Sequence, residues 1–237
     1  MSTDKQQSVT TLDFLRHGEC QDKMEDGHKN FDSQAIFRGR TDSPLNECGW
    51  HQMNQAVQHW HAPLTEVNHN WDKIISSPLK RCRIFSEQLA EFLKLPSEIN
   101  DALREIDFGD WDGRLIESIE RDFPDELARF WSNPAEQTPP NGEPLHDFNQ
   151  RVVSAFESLI QSETNQHCLI ICHGGVIRSI LGHCLKIPLD SLSRLSVPHA
   201  CMTQIQIYHK PGYDDWIQLT RHQPLPTDIN QPCSISL

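Results

Sequence analysis

Apolar positions along the chain switch between two periods. Val9-Thr10-Thr11-Leu12-Asp13-Phe14-Leu15 is rich in β-formers and stops at Arg16-His17-Gly18, which predicts a strand carrying that triplet at its carboxyl end. Residues 47–60 place Trp50, Met53, Val57 and Trp60 at three- and four-residue steps, a helix with a core stripe. Trp71 to Ser76 reads as a second strand. Ser77-Pro78 then reads as an N-cap with proline in the first turn of a helix reaching about Lys94. Leu79, Cys82, Phe85, Leu89 and Phe92 share one face of that helix, and Arg81 projects from its first turn. Short helices over 115–121 and 124–131 precede a proline-rich break at 133–144. A long amphipathic helix over 145–163 leads to Cys168-Leu169-Ile170-Ile171-Cys172, an apolar run suited to the middle of a sheet, which ends at His173. Gly174-Gly175 is read as a tight turn into a helix over 176–185, and alternating runs at 202–208 and 216–220, joined through Pro211-Gly212, predict a hairpin.

This alternation predicts an α/β three-layer sandwich: a mainly parallel central sheet, helices on both faces, and a C-terminal antiparallel hairpin. Residues 1–8 read as a tail, 9–237 as one domain, and the stretch around 104–145 as a cap over a site. The polar stretch from Gln21 to Gln34 reads as a surface loop. In open sheets of this kind ligands bind beyond the carboxyl ends of the strands, where His17 and His173 both fall.

Composition removes several function classes. A formal net charge of -12 over 237 residues opposes non-specific attraction to nucleic acid or to an anionic membrane, so an anionic substrate must be held by local groups. No stretch approaches the roughly 20 apolar residues of a spanning helix, and the start lacks a signal-peptide centre, so a cytoplasmic protein is expected. The 8 cysteines contain no Cys-x-x-Cys, and the 13 histidines lack acidic or thiolate partners at ligand spacing. Neither a metal nor another cofactor is implied. The oligomeric state is left open.

Two histidines and two arginines at strand and helix ends suit a phosphate monoester. Guanidinium groups grip its oxygens while a neutral imidazole attacks phosphorus. Glu105 is a candidate proton donor to the leaving alkoxide, provided that partial burial or an adjacent phosphate keeps it protonated. Each residue also has a plainer reading: Arg81 as the surface partner of Glu87, Glu105 as a solvated loop carboxylate. His173 is harder to explain as packing, standing between a wholly apolar strand and two glycines.

Five ordered blocks carry a resemblance: Leu15-Arg16-His17-Gly18-Glu19, Ser76-Ser77-Pro78-Leu79-Lys80-Arg81, Glu105 to Gly113, Asn141-Gly142-Glu143 and Cys172-His173-Gly174-Gly175-Val176-Ile177-Arg178. Together they resemble the histidine phosphatase superfamily, also called phosphoglycerate mutase-like. The resemblance implies a metal-independent phosphomonoesterase acting on a small phosphate monoester. It implies a phosphohistidine on His17, phosphoryl binding by Arg16, Arg81, His173 and Gly174, and proton donation by Glu105. Where the family often has an asparagine for phosphate, this sequence has Lys23, a weaker candidate. The motif cysteine, Cys20, is given no catalytic role. The compact interval from Glu105 to His173 favours hydrolysis over mutase activity. The stretches Phe108 to Gly113 and Pro140 to Val152 are similar to α-ribazole-5'-phosphate phosphatases of the cobalamin pathway. A phosphoglycerate-type mutase, a fructose-2,6-bisphosphatase-like enzyme and a catalytically silent phosphate-binding protein are the alternatives.

Overall fold

The computed structural model describes residues 8–21, 36–60 and 70–224; Lys23 and nearly all of the 21–34 loop lie outside them. Six strands form one sheet in the order β3-β2-β4-β1-β5-β6. These are β1 (Ser8–Arg16), β2 (Lys73–Ser76), β3 (Ser97–Ile99), β4 (His167–Cys172), β5 (Met202–His209) and β6 (Trp216–Gln223). The first four run parallel, whereas β5 lies antiparallel to β1 and β6 antiparallel to β5. This is the mixed α/β sheet with a terminal antiparallel pair that the alternating pattern predicts.

Alternation along the central strands sends side chains to two separate cores. Leu12 and Phe14 of β1 pack with Cys168, Ile170 and Cys172 of β4 beneath α5 (Leu145–Ser162) and α6 (Gly174–Leu185). Leu15, Leu169 and Ile171 face the other way, toward α1 (Glu47–Trp60) and α2 (Lys80–Leu93). Cys168 to Cys172 has no exposed residue because helices cover both faces, which is why the run is continuously apolar. A third, smaller core of Phe37, Trp111, Ile119, Leu127 and Phe130 is built on α3 (Ile116–Asp122) and α4 (Pro124–Ser132).

Asp13 breaks the apolar rule of β1. Its carboxylate is fully buried and accepts the indole N–H groups of Trp60 and Trp71, each at 2.8 Å, and Gln204 Nε2 at 2.9 Å, with His167 Nε2 at 2.8 Å. These bonds hold it below the usual carboxylate range against the opposing effect of burial. Helix α1, strands β4 and β5 and the segment leading into β2 are thereby pinned to one charge at the centre of the sheet.

Several local expectations change. Helix α2 starts at Lys80, with Leu79 at its N-cap, and the Ser77 hydroxyl accepts the Leu79 amide at 3.4 Å while also meeting His173. Phe92 is exposed, not part of the core face. Gly174 and Gly175 are the first residues of α6, not a turn before it. β1 starts at Ser8, inside the span read as a tail, and β3, a three-residue exposed edge strand, carries no apolar pattern to read. Among the described residues no helix is long and apolar enough to cross a membrane, and no group of three or more His, Cys, Asp or Glu could hold a metal ion.

Candidate active site

Parallel pairing of β1 with β4 aligns Arg16 with Cys172, so the next residue on each strand, His17 and His173, emerge side by side at the sheet's carboxyl edge. The bond from His17 N to Cys172 O (3.0 Å) continues the ladder one step further, and the two rings stand 5.2 Å apart. Both are buried.

His17 Nδ1 lies 2.7 Å from the carbonyl oxygen of Gly18. A carbonyl only accepts, so the proton sits on Nδ1 and the lone pair is left on Nε2. Burial, followed by the charge of Arg81 and the proximity of His173, Arg16 and His199, holds the ring well below the ordinary imidazole value. The ring is therefore neutral near pH 7. Cys20 Sγ touches the same ring at 3.6 Å from Nδ1, and burial pushes its thiol up, so it is an unreactive packing group.

His173 has both nitrogens engaged. Arg81 Nε donates to Nδ1 at 3.2 Å, so Nε2 carries the proton and donates to Ser77 Oγ at 2.7 Å. Burial first, then Arg81 and Arg16, depress its basicity strongly. Ser77, read as a helix cap, is therefore the hydroxyl that fixes this ring.

Arg81 is fully buried and does not pair with Glu87, whose partner is Arg83 at 2.9 Å. Its guanidinium donates to main-chain carbonyls of one loop: Thr41 O (2.7 Å), Gly39 O (2.8 Å) and Arg38 O (3.4 Å). That loop is clamped from behind by Asp112, whose carboxylate accepts the amides of Gly39 (3.1 Å), Arg40 (2.7 Å) and Thr41 (2.8 Å), and the Thr41 hydroxyl. Gly39 has to be glycine, since a Cβ there would stand 2.0 Å from Ile106 O. A continuous chain of bonds thus runs from Asp112 through the loop and Arg81 to His173 and Ser77.

Arg16 directs Nη1 to Val197 O at 2.5 Å, while its buried Nε has no hydrogen-bond partner among the described residues. Burial lowers it to about 10, with Glu105 opposing the shift, so it stays cationic at neutral pH. Gly174 makes room for it, because an added Cβ would lie 3.3 Å from Arg16 Nε. Glu105 reaches the same edge: Oε2 accepts the Gly175 amide at 3.0 Å and Oε1 the Ile106 amide at 3.1 Å. Gly175 also has no alternative, its Cβ position lying 2.3 Å from Glu105 Oε1. The structure thus gathers His17, His173, Arg16, Arg81, Gly174 and Glu105 at one place, although they span most of the sequence.

Beside Glu105 opens a cleft of about 500 Å³, lined among others by Arg40, Arg104, Asp107, Asn141 and Arg151. Arg151 is held by both oxygens of Glu143 (3.0 and 2.7 Å) and by the carbonyls of Ala102 and Arg104. The cleft wall is polar and stiff, in the size range of small-molecule sites.

Sequence reasoning does not find His199, Asp112 or the contact of Ser77 with His173. His199 lies 5.5 Å from the His17 ring, on the segment leading into β5. The signal was topological: the start of an antiparallel strand paired with β1 must abut the end of β1.

The sequence profile of the histidine phosphatase superfamily, branch 1, matches residues 12–214. The chain is 28% identical to the uncharacterized phosphatase PhoE of Bacillus subtilis, over 84% of this chain and 89% of that one. It is 26% identical to the adenosylcobalamin/alpha-ribazole phosphatase of Salmonella typhimurium, over 82% and 89%. Among solved structures, the mycobacterial glucosyl-3-phosphoglycerate phosphatase in complex with VO3 superimposes with a TM-score of 0.70 at 25% identity, covering 89% of this chain and 97% of that one.

Proposed function

Because this chain belongs to the histidine phosphatase superfamily and is a phosphoric monoester hydrolase, we propose that it works without a metal, through a phosphohistidine on His17. The observation that carries this reading is the tautomer. With Nδ1–H spent on Gly18 O, the only lone pair His17 can offer is on Nε2, in a ring that burial keeps neutral. Nε2 attacks phosphorus as the P–O bond to the alcohol breaks, and Glu105 gives its proton to the departing oxygen. Water then attacks the phosphohistidine, its proton passes to Glu105, and inorganic phosphate leaves. Arg16 and Arg81 neutralise the equatorial oxygens, and a neutral His173, fixed by Ser77, positions Arg81 against them.

The alcohol side is the polar cleft next to Glu105, which supports a hydroxyl-rich leaving group of about sugar size. Relatives named for α-ribazole phosphate make α-ribazole-5'-phosphate the first substrate to test. A relative in structure named for glucosyl-3-phosphoglycerate puts that ester beside it. Between Glu105 and α5 the described chain carries only a 3-10 turn and two short α-helices, which supports release of the phosphoryl group to water over its return to product as a mutase. The lining of the cleft by Arg104, Asp107 and Asn141 supports a cap role for the stretch 104–145.

Turnover of a panel comprising α-ribazole phosphate, 3-phosphoglycerate, fructose 2,6-bisphosphate and p-nitrophenyl phosphate tests the reading. Wild-type protein is expected to prefer α-ribazole phosphate and to trap an acid-labile, base-stable phosphate, while His17→Ala shows neither activity nor trapping. Equal, slow hydrolysis of every ester removes the cobalamin assignment, isomerisation of 3-phosphoglycerate favours a mutase, and normal turnover by His17→Ala ends the phosphohistidine proposal.

A further inference from the structure

The segment that leads into β5 is tied to the nucleophile's strand at three points. Arg16 N donates to Cys201 O at 3.0 Å, Ala200 N to His17 O at 3.3 Å, and Arg16 Nη1 to Val197 O at 2.5 Å. Ala200, fully buried, holds a φ of 54°. An alanine in the left-handed region is strained and persists only where surrounding contacts enforce it. The residue so positioned is His199, with its ring inclined 45° to that of His17 at 5.5 Å, almost as near as His173 at 5.2 Å. Two imidazoles therefore flank the attacking one.

The chemical situation of the two flanking rings differs. His173 has both nitrogens committed to protein partners. Among the described residues, no hydrogen bond reaches either nitrogen of His199. Its surroundings are cationic: burial, then Arg16, Arg38 and Arg81, lower it to about 3, so it is a neutral ring with one N–H. The ring is half-buried, and a polar hydrogen that finds no protein acceptor there is met by solvent or by a ligand. Three guanidinium groups offer none, whereas a phosphoryl group drawn in by them brings several acceptor oxygens to the adjoining His17 Nε2.

We propose that His199 is a further catalytic residue, whose ring N–H donates to a phosphoryl oxygen of the bound monoester and of the phosphohistidine on His17. This rests on the phosphohistidine reading above. As a neutral donor it grips the transferred group without adding a fourth fixed charge to Arg16, Arg38 and Arg81, a charge that would also retain the product phosphate. No bond to His199 forms or breaks.

The test compares His199→Leu with His199→Asn, using p-nitrophenyl phosphate as substrate and inorganic phosphate as inhibitor. Loss of one hydrogen bond to a charged group predicts a fall of about 10–100-fold in kcat/KM and in phosphate affinity for His199→Leu. The Asn amide is expected to restore both to within about fivefold of wild type, as a retained donor would. Circular dichroism and the thermal midpoint verify that each variant is folded; if His199→Leu does not fold, His199→Met and His199→Gln form the equivalent pair. Wild-type kinetics in the apolar variant overturn the proposal, and so does equal impairment of both variants, which would mark a packing role. His17→Ala run in parallel separates the two layers: activity there refutes the phosphohistidine itself, whereas a dead His17→Ala beside a normal His199→Leu refutes only the role of His199.

Discussion

Three neutral imidazoles packed among arginines make this fold sensitive to acid well above the carboxylate range. His17 and His173 are held well below the ordinary value, and His199 is lowered to about 3. In the unfolded chain each ring titrates near the reference value of about 6.5. Below that pH the unfolded state binds the extra protons, so stability falls as pH falls, and for His199 the loss continues to about pH 3. Between pH 7 and pH 5.5 one such ring costs on the order of 1 kcal/mol, and three together a few kcal/mol, a large share of a typical domain's stability. Asp13, whose value is lowered, adds its own loss only below about pH 4, outside this window. Urea unfolding at a series of pH values measures the slope, and hence the protons taken up on unfolding. Asparagine at His17, His173 or His199 should each remove about 0.9 proton from that uptake at pH 5.5. An uptake unchanged in all three variants would refute the claim that these rings are neutral by burial.

Replacing Asp13 by Ala leaves two indole N–H groups and the Gln204 amide without their buried acceptor, and should cost about 3–5 kcal/mol in urea unfolding. Asp112→Ala releases the 39–41 loop behind Arg81, and is expected to lower kcat/KM about 10–100-fold in steady-state assays while leaving Glu105 chemistry intact. Glu105→Gln should slow alkyl monoesters by about 10²–10⁴-fold but p-nitrophenyl phosphate much less, because its leaving group needs little protonation; equal losses would deny Glu105 the role of proton donor. Gly175→Ala, whose methyl would overlap Glu105 Oε1, is expected to reproduce that leaving-group bias in the same assay.

How much of this was legible in the sequence depended on whether a signal was carried by side-chain type or by the backbone. β4 announced itself because burial on both faces demands an unbroken apolar run, and the histidine after it stood out by contrast. The mainly parallel sheet followed from alternation, and with it the meeting of His17 and His173. Arg81 was identified, but its partners were not, since the carbonyls of Gly39 and Thr41 leave no mark in amino-acid identity. Ser77 is only half legible: Ser-Pro before a helix is a local capping signature, which the bond from the Leu79 amide partly meets, and only the fold shows the hydroxyl also turned to His173. β3 was missed because all three of its residues are exposed. His199 was invisible to motif and spacing alike: it joins the site through the antiparallel pairing of β5 with β1, a contact between distant parts of the chain.

That same pairing fixes when the protein can work during its synthesis. β1 is the earliest strand of the sheet to be made, yet its two neighbours are β4 and β5, both encoded in the second half of the chain. At ordinary elongation rates the ribosome needs on the order of ten seconds or more to travel from Arg16 to His209. Throughout that interval the segment bearing Arg16 and His17 has no ladder to join on its β5 side. Until β4 and β5 have emerged the nascent chain therefore carries an apolar, unpaired strand, and the setting of His17 is completed only once β5 has been made.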